Sequence, residues 1–164
     1  SNQTSQVPQP ETTNSNVRVK AMINIFKALI AFPKLASNPA FNEIAGIERF
    51  HFLKTILDAY HGNPQARPAN IIESIENEQI KGFFSQATIE EMEISEKNAT
   101  KLVEDCIAVL LKNEKDREEM LKEKYNTESI SAHERRELQQ LILKKPELGT
   151  EDQEWLSKLS SKKA

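Results

Sequence analysis

The stretch Ser95 to Tyr125, SEKNATKLVEDCIAVLLKNEKDREEMLKEKY, contains neither Gly nor Pro, and its reading decides the fold. Leu102, Val103, Cys106, Ile107, Val109, Leu110 and Leu111 recur at helical spacing, so the first half predicts a helix with an apolar face packed on a globular core. From Asn113 to Glu119 that face vanishes although the residues remain good helix formers, and it returns at Met120, Leu121 and Tyr125. A helix polar on every side asks for no apolar partner, so this segment is expected to cross solvent toward a second, small apolar element. The expected class is all-α: a compact helical bundle subdomain, a long connecting helix and a C-terminal helical hairpin.

Upstream, helical spacing predicts a first helix from about Arg18 to Phe32, with Met22, Ile25, Phe26, Leu29 and Ile30 on one face and Pro33 ending it. Pro39 opens a short helix through Phe41 and Ile44. Another follows from about Ile47 to Tyr60, stopped by His61-Gly62-Asn63-Pro64. Pro68 begins a helix bearing Ile71, Ile72 and Ile75, and a short one with Phe83 and Phe84 is expected after Gly82. No alternating apolar run is bounded by hairpin turns, so strands are not expected. Ser95 is placed to cap the long helix, and Asn126, Thr127 and Ser129 mark a turn beyond it. Ser131-Ala132-His133-Glu134 has capping-box spacing and introduces Leu138, Leu141 and Ile142. After Pro146 and Gly149, Thr150 with Gln153 is expected to cap a last short helix carrying Trp155, Leu156 and Leu159. Residues 1–16 hold one aliphatic side chain, Val7, amid Gln, Thr, Ser and Asn, and read as a disordered linker. The organisation expected is therefore a linker over 1–16, a compact helical subdomain over 17–111, and a projecting helical arm with a C-terminal hairpin over 112–164.

The chain has 164 residues, 38% of them hydrophobic, with a formal net charge of -3, enough for a real core and without a cationic footprint for nucleic acid. The lone Cys106 falls on the apolar face and excludes an intrachain disulfide. His51, His61 and His133 lack the pairing of a zinc site. No span approaches the roughly 20 apolar residues that cross a bilayer, and the first residues contain no secretory apolar core; a cytoplasmic protein is the expectation. Gly46, Gly62, Gly82 and Gly149 are scattered, so no phosphate-cradling loop can be drawn. Glu90, Glu91 and Glu93 offer carboxylates for Mg²⁺ or acid/base work, but read more simply as a solvated face ahead of a helix cap. No catalytic constellation is found, and no catalytic residue or metal is assigned. Arg18 and Lys20, at the start of the first helix beside Met22 and Phe26, suit a partner carrying carboxylates and an aromatic ring.

Two segments then bring a family into view. Val19-Lys20-Ala21-Met22-Ile23-Asn24-Ile25-Phe26-Lys27-Ala28-Leu29-Ile30-Ala31-Phe32-Pro33-Lys34-Leu35-Ala36 resembles the opening of the C-terminal domain of bacterial DNA primase. Ile130-Ser131-Ala132-His133-Glu134-Arg135-Arg136-Glu137-Leu138-Gln139-Gln140-Leu141 resembles that domain's C-terminal hairpin, and the similarity spans about residues 17 to 145. The resemblance implies a non-catalytic helicase-binding domain that docks the primase on the hexameric replicative helicase during primer synthesis at the replication fork. It implies helicase contacts at Leu121, Tyr125, Ile130, Glu134, Arg135, Leu138, Leu141 and Ile142. It also implies a site for the acidic, Phe-ended tail of single-stranded DNA-binding protein at Arg18, Lys20, Met22 and Phe26. Zinc and Mg would belong to primase domains ahead of Ser1, for which the Gln-Pro-rich start is read as the linker, and the fragment alone is expected to be a monomer and no enzyme. Relatives often place a basic residue where this chain has Ile23, and relatives end near Lys145 whereas this chain continues to Ala164. Two other readings of the residues are the N-terminal collar domain of the helicase itself, a self-assembly module, and a small Mg-dependent enzyme using Glu90, Glu91 or Glu93.

Overall fold

The computed structural model describes residues 10–161, the side chains of 10–15 and 48 excepted. Among the described residues the protein is all-α, with seven α-helices and no strand. They are α1 (Pro10–Ala31), α2 (His51–Gly62), α3 (Pro68–Glu73), α4 (Glu78–Ala87), α5 (Glu96–Asn126), α6 (Ala132–Leu143) and α7 (Thr150–Ser160). Short 3-10 turns at Pro33–Ser37, Pro39–Glu43 and Glu48–Phe50 join α1 to α2. Among the described residues no helix is long and apolar enough to cross a membrane.

Contacts divide the chain into two units, Ser1–Leu111 and Lys112–Ala164. The first is built on α1, which packs against α4 and the first 3-10 turn, while α2 packs against that turn and α3. Ile25, Phe26, Leu29, Leu53, Ile56 and Phe84 form its centre with Val103, Ile107 and Leu110 of α5, all buried. Phe26 lies 5.2 Å from Phe84 and 6.3 Å from Phe52 between ring centroids, tilted or edge-on, as ring quadrupoles prefer. Local chemistry sets the element starts. Asn38 accepts from the Ala40 amide at 2.8 Å, Asn77 from Ile80 at 3.0 Å and Ser95 from Asn98 at 3.1 Å, each satisfying a donor that a helix start leaves open.

Several boundaries differ from the sequence expectation. α1 begins at Pro10, not near Arg18, so residues 10–16 of the expected linker are helical; residues 1–9 lie outside the described residues. Proline suits a first helical position because its missing amide costs no bond there. α4 begins at Glu78 and runs through Gly82, which is exposed with open space around it. The cost of a mid-helix glycine, roughly 1 kcal/mol, is offset by burial of Ile80, Phe84 and Ala87 on the opposite side. α7 begins at Thr150, but its start is closed by Asp152, whose carboxylate accepts from the Gly149 amide at 3.1 Å, rather than by Thr150 with Gln153. The largest correction concerns the charged stretch of α5. Glu114 and Glu118 are each only 8% exposed, so residues 113–119 do not cross solvent as a helix wet on all sides.

The turn after α5 is a Schellman closure. The Ser129 amide donates to the Lys124 carbonyl at 2.9 Å and the Glu128 amide to the Tyr125 carbonyl at 3.1 Å. Glu128 supplies the left-handed residue with φ of 58°, a position where glycine is the usual occupant.

Candidate functional site

The second unit contains the elements singled out for docking: the last turns of α5, then α6 and α7. α6 starts with the expected reciprocal cap, the Glu134 amide donating to Ser131 Oγ at 3.1 Å and the Ser131 amide to Glu134 Oε1 at 3.0 Å. The other carboxylate oxygen of Glu134 accepts from Lys124 Nζ at 2.6 Å. That lysine, with the Ser131 amide, holds the Glu134 carboxyl down at about 2.

Leu121, Leu138 and Ile142 form the centre of the unit and are 0% exposed. They are closed over by Trp155 and Leu159 of α7, at 7% and 9% exposed. Trp155 meets Tyr125 edge-on at 5.3 Å, with Lys158 Nζ 4.2 Å and Lys122 Nζ 5.4 Å from its ring centroid. Arg135 stacks its guanidinium 5.2 Å over Tyr125 and donates to the Leu159 carbonyl at 3.2 Å, near the end of α7 where open carbonyls are expected. The α7 extension therefore folds onto α5 and α6, and its tryptophan is a core side chain of this unit.

Ion pairs surround this small centre. Arg117 holds Glu137 of α6 through two bonds of 2.8 Å, the fork geometry that guanidinium offers carboxylate. Glu118 accepts from Lys145 at 3.1 Å and lies 3.0 Å from Lys122. Lys145 also donates to Asp152 at 2.9 Å, tying α5 to α7. Burial lowers the Lys145 pKa, but the hydrogen bonds it donates to Asp152 and Glu118 outweigh it and the net shift is upward. The Arg117–Glu137 and Glu118–Lys145 pairs were invisible in the sequence because their members lie 20 and 27 positions apart.

Of the proposed helicase contacts, Leu121, Leu138 and Ile142 are buried under α7 and make no open surface. Tyr125, Ile130, Glu134, Arg135 and Leu141 are half-buried, and of these Glu134, Arg135 and Tyr125 are engaged as described. Leu143, not singled out from sequence, is 45% exposed on α6. In the first unit Met22 and Phe26 belong to the core, Arg18 is half-buried and Lys20 exposed, so no open groove carries all four. The helical stripe was legible; that it is covered by α4 and the 3-10 turns was not.

Glu90 pairs with Lys27 at 2.7 Å, which lowers its pKa, while Glu91 and Glu93 are exposed. No group of three or more His, Cys, Asp or Glu is placed to hold a metal among the described residues. His61 Nε2 lies 3.0 Å from the Ala36 carbonyl, an acceptor, so that nitrogen carries its proton. Burial, then repulsion from Asp105, pushes the Cys106 thiol up to about 11, against a hydrogen bond from Asn24. Comparison of the chain with protein-family models, with curated proteins and with solved structures returned no match.

Proposed function

We propose that this chain is a non-catalytic docking module, the helicase-binding domain of a bacterial DNA primase, and that its second unit engages the hexameric replicative helicase. The observation that carries the reading is the α5–α6 hairpin, whose capping box, Ser131 with Glu134, and buried Leu138 fall within the segment, Ile130 to Leu141, that resembles the primase hairpin. Residues 112–164 form a unit with its own small core, which supports a docking role. Binding of the single-stranded DNA-binding protein tail at the surface expected for it is not retained, because Met22 and Phe26 are core side chains.

The test is co-sedimentation of the full chain with purified replicative helicase at low salt, beside a chain ending at Asn113. The full chain is expected to form a complex and the shortened one to stay folded and unbound. No complex with the full chain, or full affinity in the shortened one, refutes the assignment.

A further inference from the structure

We infer that α7 is an exchangeable occupant of the α5–α6 seam, and that the seam accepts in its place a partner helix of α7's own chemistry. That chemistry is an acidic first turn, Glu151 and Asp152, followed by an aromatic side chain at Trp155 and an aliphatic one a turn later at Leu159. The inference rests on the helicase-docking reading for the identity of the partner, a helix of the helicase, but not for the property of the seam.

The wholly enclosed side chains, Leu121, Leu138 and Ile142, all belong to α5 and α6, whereas α7 contributes Trp155 and Leu159, at 7% and 9% exposed, and the partly buried Leu156. Its polar fastenings are the part-buried Lys145–Asp152 pair at 2.9 Å, the Arg135 donation to the Leu159 carbonyl at 3.2 Å and two weaker contacts. Lys122 reaches Glu151 at only 3.9 Å, with Glu151 exposed, and the Tyr125 hydroxyl donates to the Lys158 carbonyl at 3.5 Å. Exposed pairs of this kind contribute little and weaken with salt. A helix of 11 residues is marginal once it loses its packing, so release of α7 would also unravel it. The short link from Lys145 to Gly149 keeps it at high effective concentration, so an incoming helix competes with a tethered one.

The seam also reads charge. Lys145 and Lys122 receive the acidic first turn, and the Arg135 guanidinium receives the carbonyl end, so an inserted helix is fixed in direction as well as depth. The buried residues that resemble primase docking positions lie under α7, the arrangement expected where a cis segment covers a trans site.

The test uses the full chain and the full-length variants Ser157→Pro, which breaks α7 at an exposed position, and Leu159→Ala, which only loosens it. The probe is a fluorescent synthetic peptide of residues 147–161, followed by anisotropy. Both variants should capture it at least about tenfold more tightly than the wild type, because a closed seam reduces apparent affinity by its open fraction. Equal or absent binding in all three overturns the inference. Hydrogen exchange on the wild type is the second measurement: α7 amides should exchange before those of 132–143, and α7 opening only together with α6 overturns it. Helicase affinity should rise in Ser157→Pro. Peptide capture without any helicase complex would leave the seam inference standing and remove the docking assignment.

Discussion

Replacing Leu138 by Ala tests whether the second unit folds around its own centre. Leu138 is 0% exposed and packs with Leu121, Ile142, Trp155 and Leu159. A buried leucine truncated to alanine costs about 2–5 kcal/mol, and at a wholly enclosed position in a small unit able to relax partly, about 3 kcal/mol is expected. A unit of about 50 residues has only about 3–8 kcal/mol of stability in total, so this change removes a third of it or all of it. Trp155 is the only tryptophan in the chain and lies in this unit, so its fluorescence reports on 112–164 while far-UV dichroism sums all the helices. In urea, with a slope of about 1 kcal/mol/M for so small a unit, the fluorescence midpoint should fall by about 3 M. Leu53→Ala, in the core of the first unit, should instead shift the dichroism transition and leave the fluorescence midpoint in place. A fluorescence shift below about 0.5 M for Leu138→Ala, or an equal shift for Leu53→Ala, refutes the division into separate cores.

Three further outcomes are expected. Glu134 has its pKa lowered from 4.5 to about 2 in the folded chain, so the stability it contributes is fully present above pH 4.5 and is lost as pH falls toward 2; Asp152, lowered from 3.8 chiefly by Lys145, acts in the same direction. The thermal midpoint read by Trp155 fluorescence should therefore drop across that window and drop less in Glu134→Gln, and an unchanged slope in the variant contradicts the pairing. Glu128→Gly should stabilise the same unit by about 0.5–1 kcal/mol, since φ of 58° penalises a side chain more than glycine's added freedom in the unfolded chain costs; a destabilised variant counts against the left-handed turn. Cys106, buried with its pKa raised to about 11, should react with a thiol reagent only as fast as the first unit opens and at once in denaturant; a native-state rate matching a free thiol removes the burial argument.

How much was legible in the sequence follows from the range of the interactions. The start of α6 was readable because Ser131 and Glu134 are three residues apart and their bonds are local. The same holds for Ser95 ahead of α5. The start of α1 at Pro10 was missed because Thr12, Thr13, Asn14 and Ser15 weigh against helix and no apolar spacing marks them. Met22 and Phe26 were correctly placed on one helical face, but periodicity identifies a face without saying whether another helix covers it. Among candidate docking residues, Leu138 and Ile142 were found as an apolar pair; that α7 closes over them depends on Trp155 and Leu159, which arrive 13 or more positions later in the chain.

The charged stretch of α5 shows why a count of apolar residues misjudged it. Such a count assumes that a buried face must be greasy, whereas Glu118 is buried between Lys122 and Lys145, and Arg117 is clamped on Glu137. Desolvating these groups costs about as much as their attraction returns, so they add little net stability beside Leu121, Leu138 and Ile142. Their effect is on alignment instead. The apolar centre is small, and a slide of α6 by one turn would replace one aliphatic contact by another. The same slide would part the two 2.8 Å bonds from Arg117 and leave the half-buried Glu137 carboxylate without its fork. Lys145 applies that constraint to α7 through Asp152. An incoming helix that lacked an acid at that position would strand Lys145 on Glu118 alone, so the seam selects among amphipathic helices by charge placement rather than by hydrophobicity.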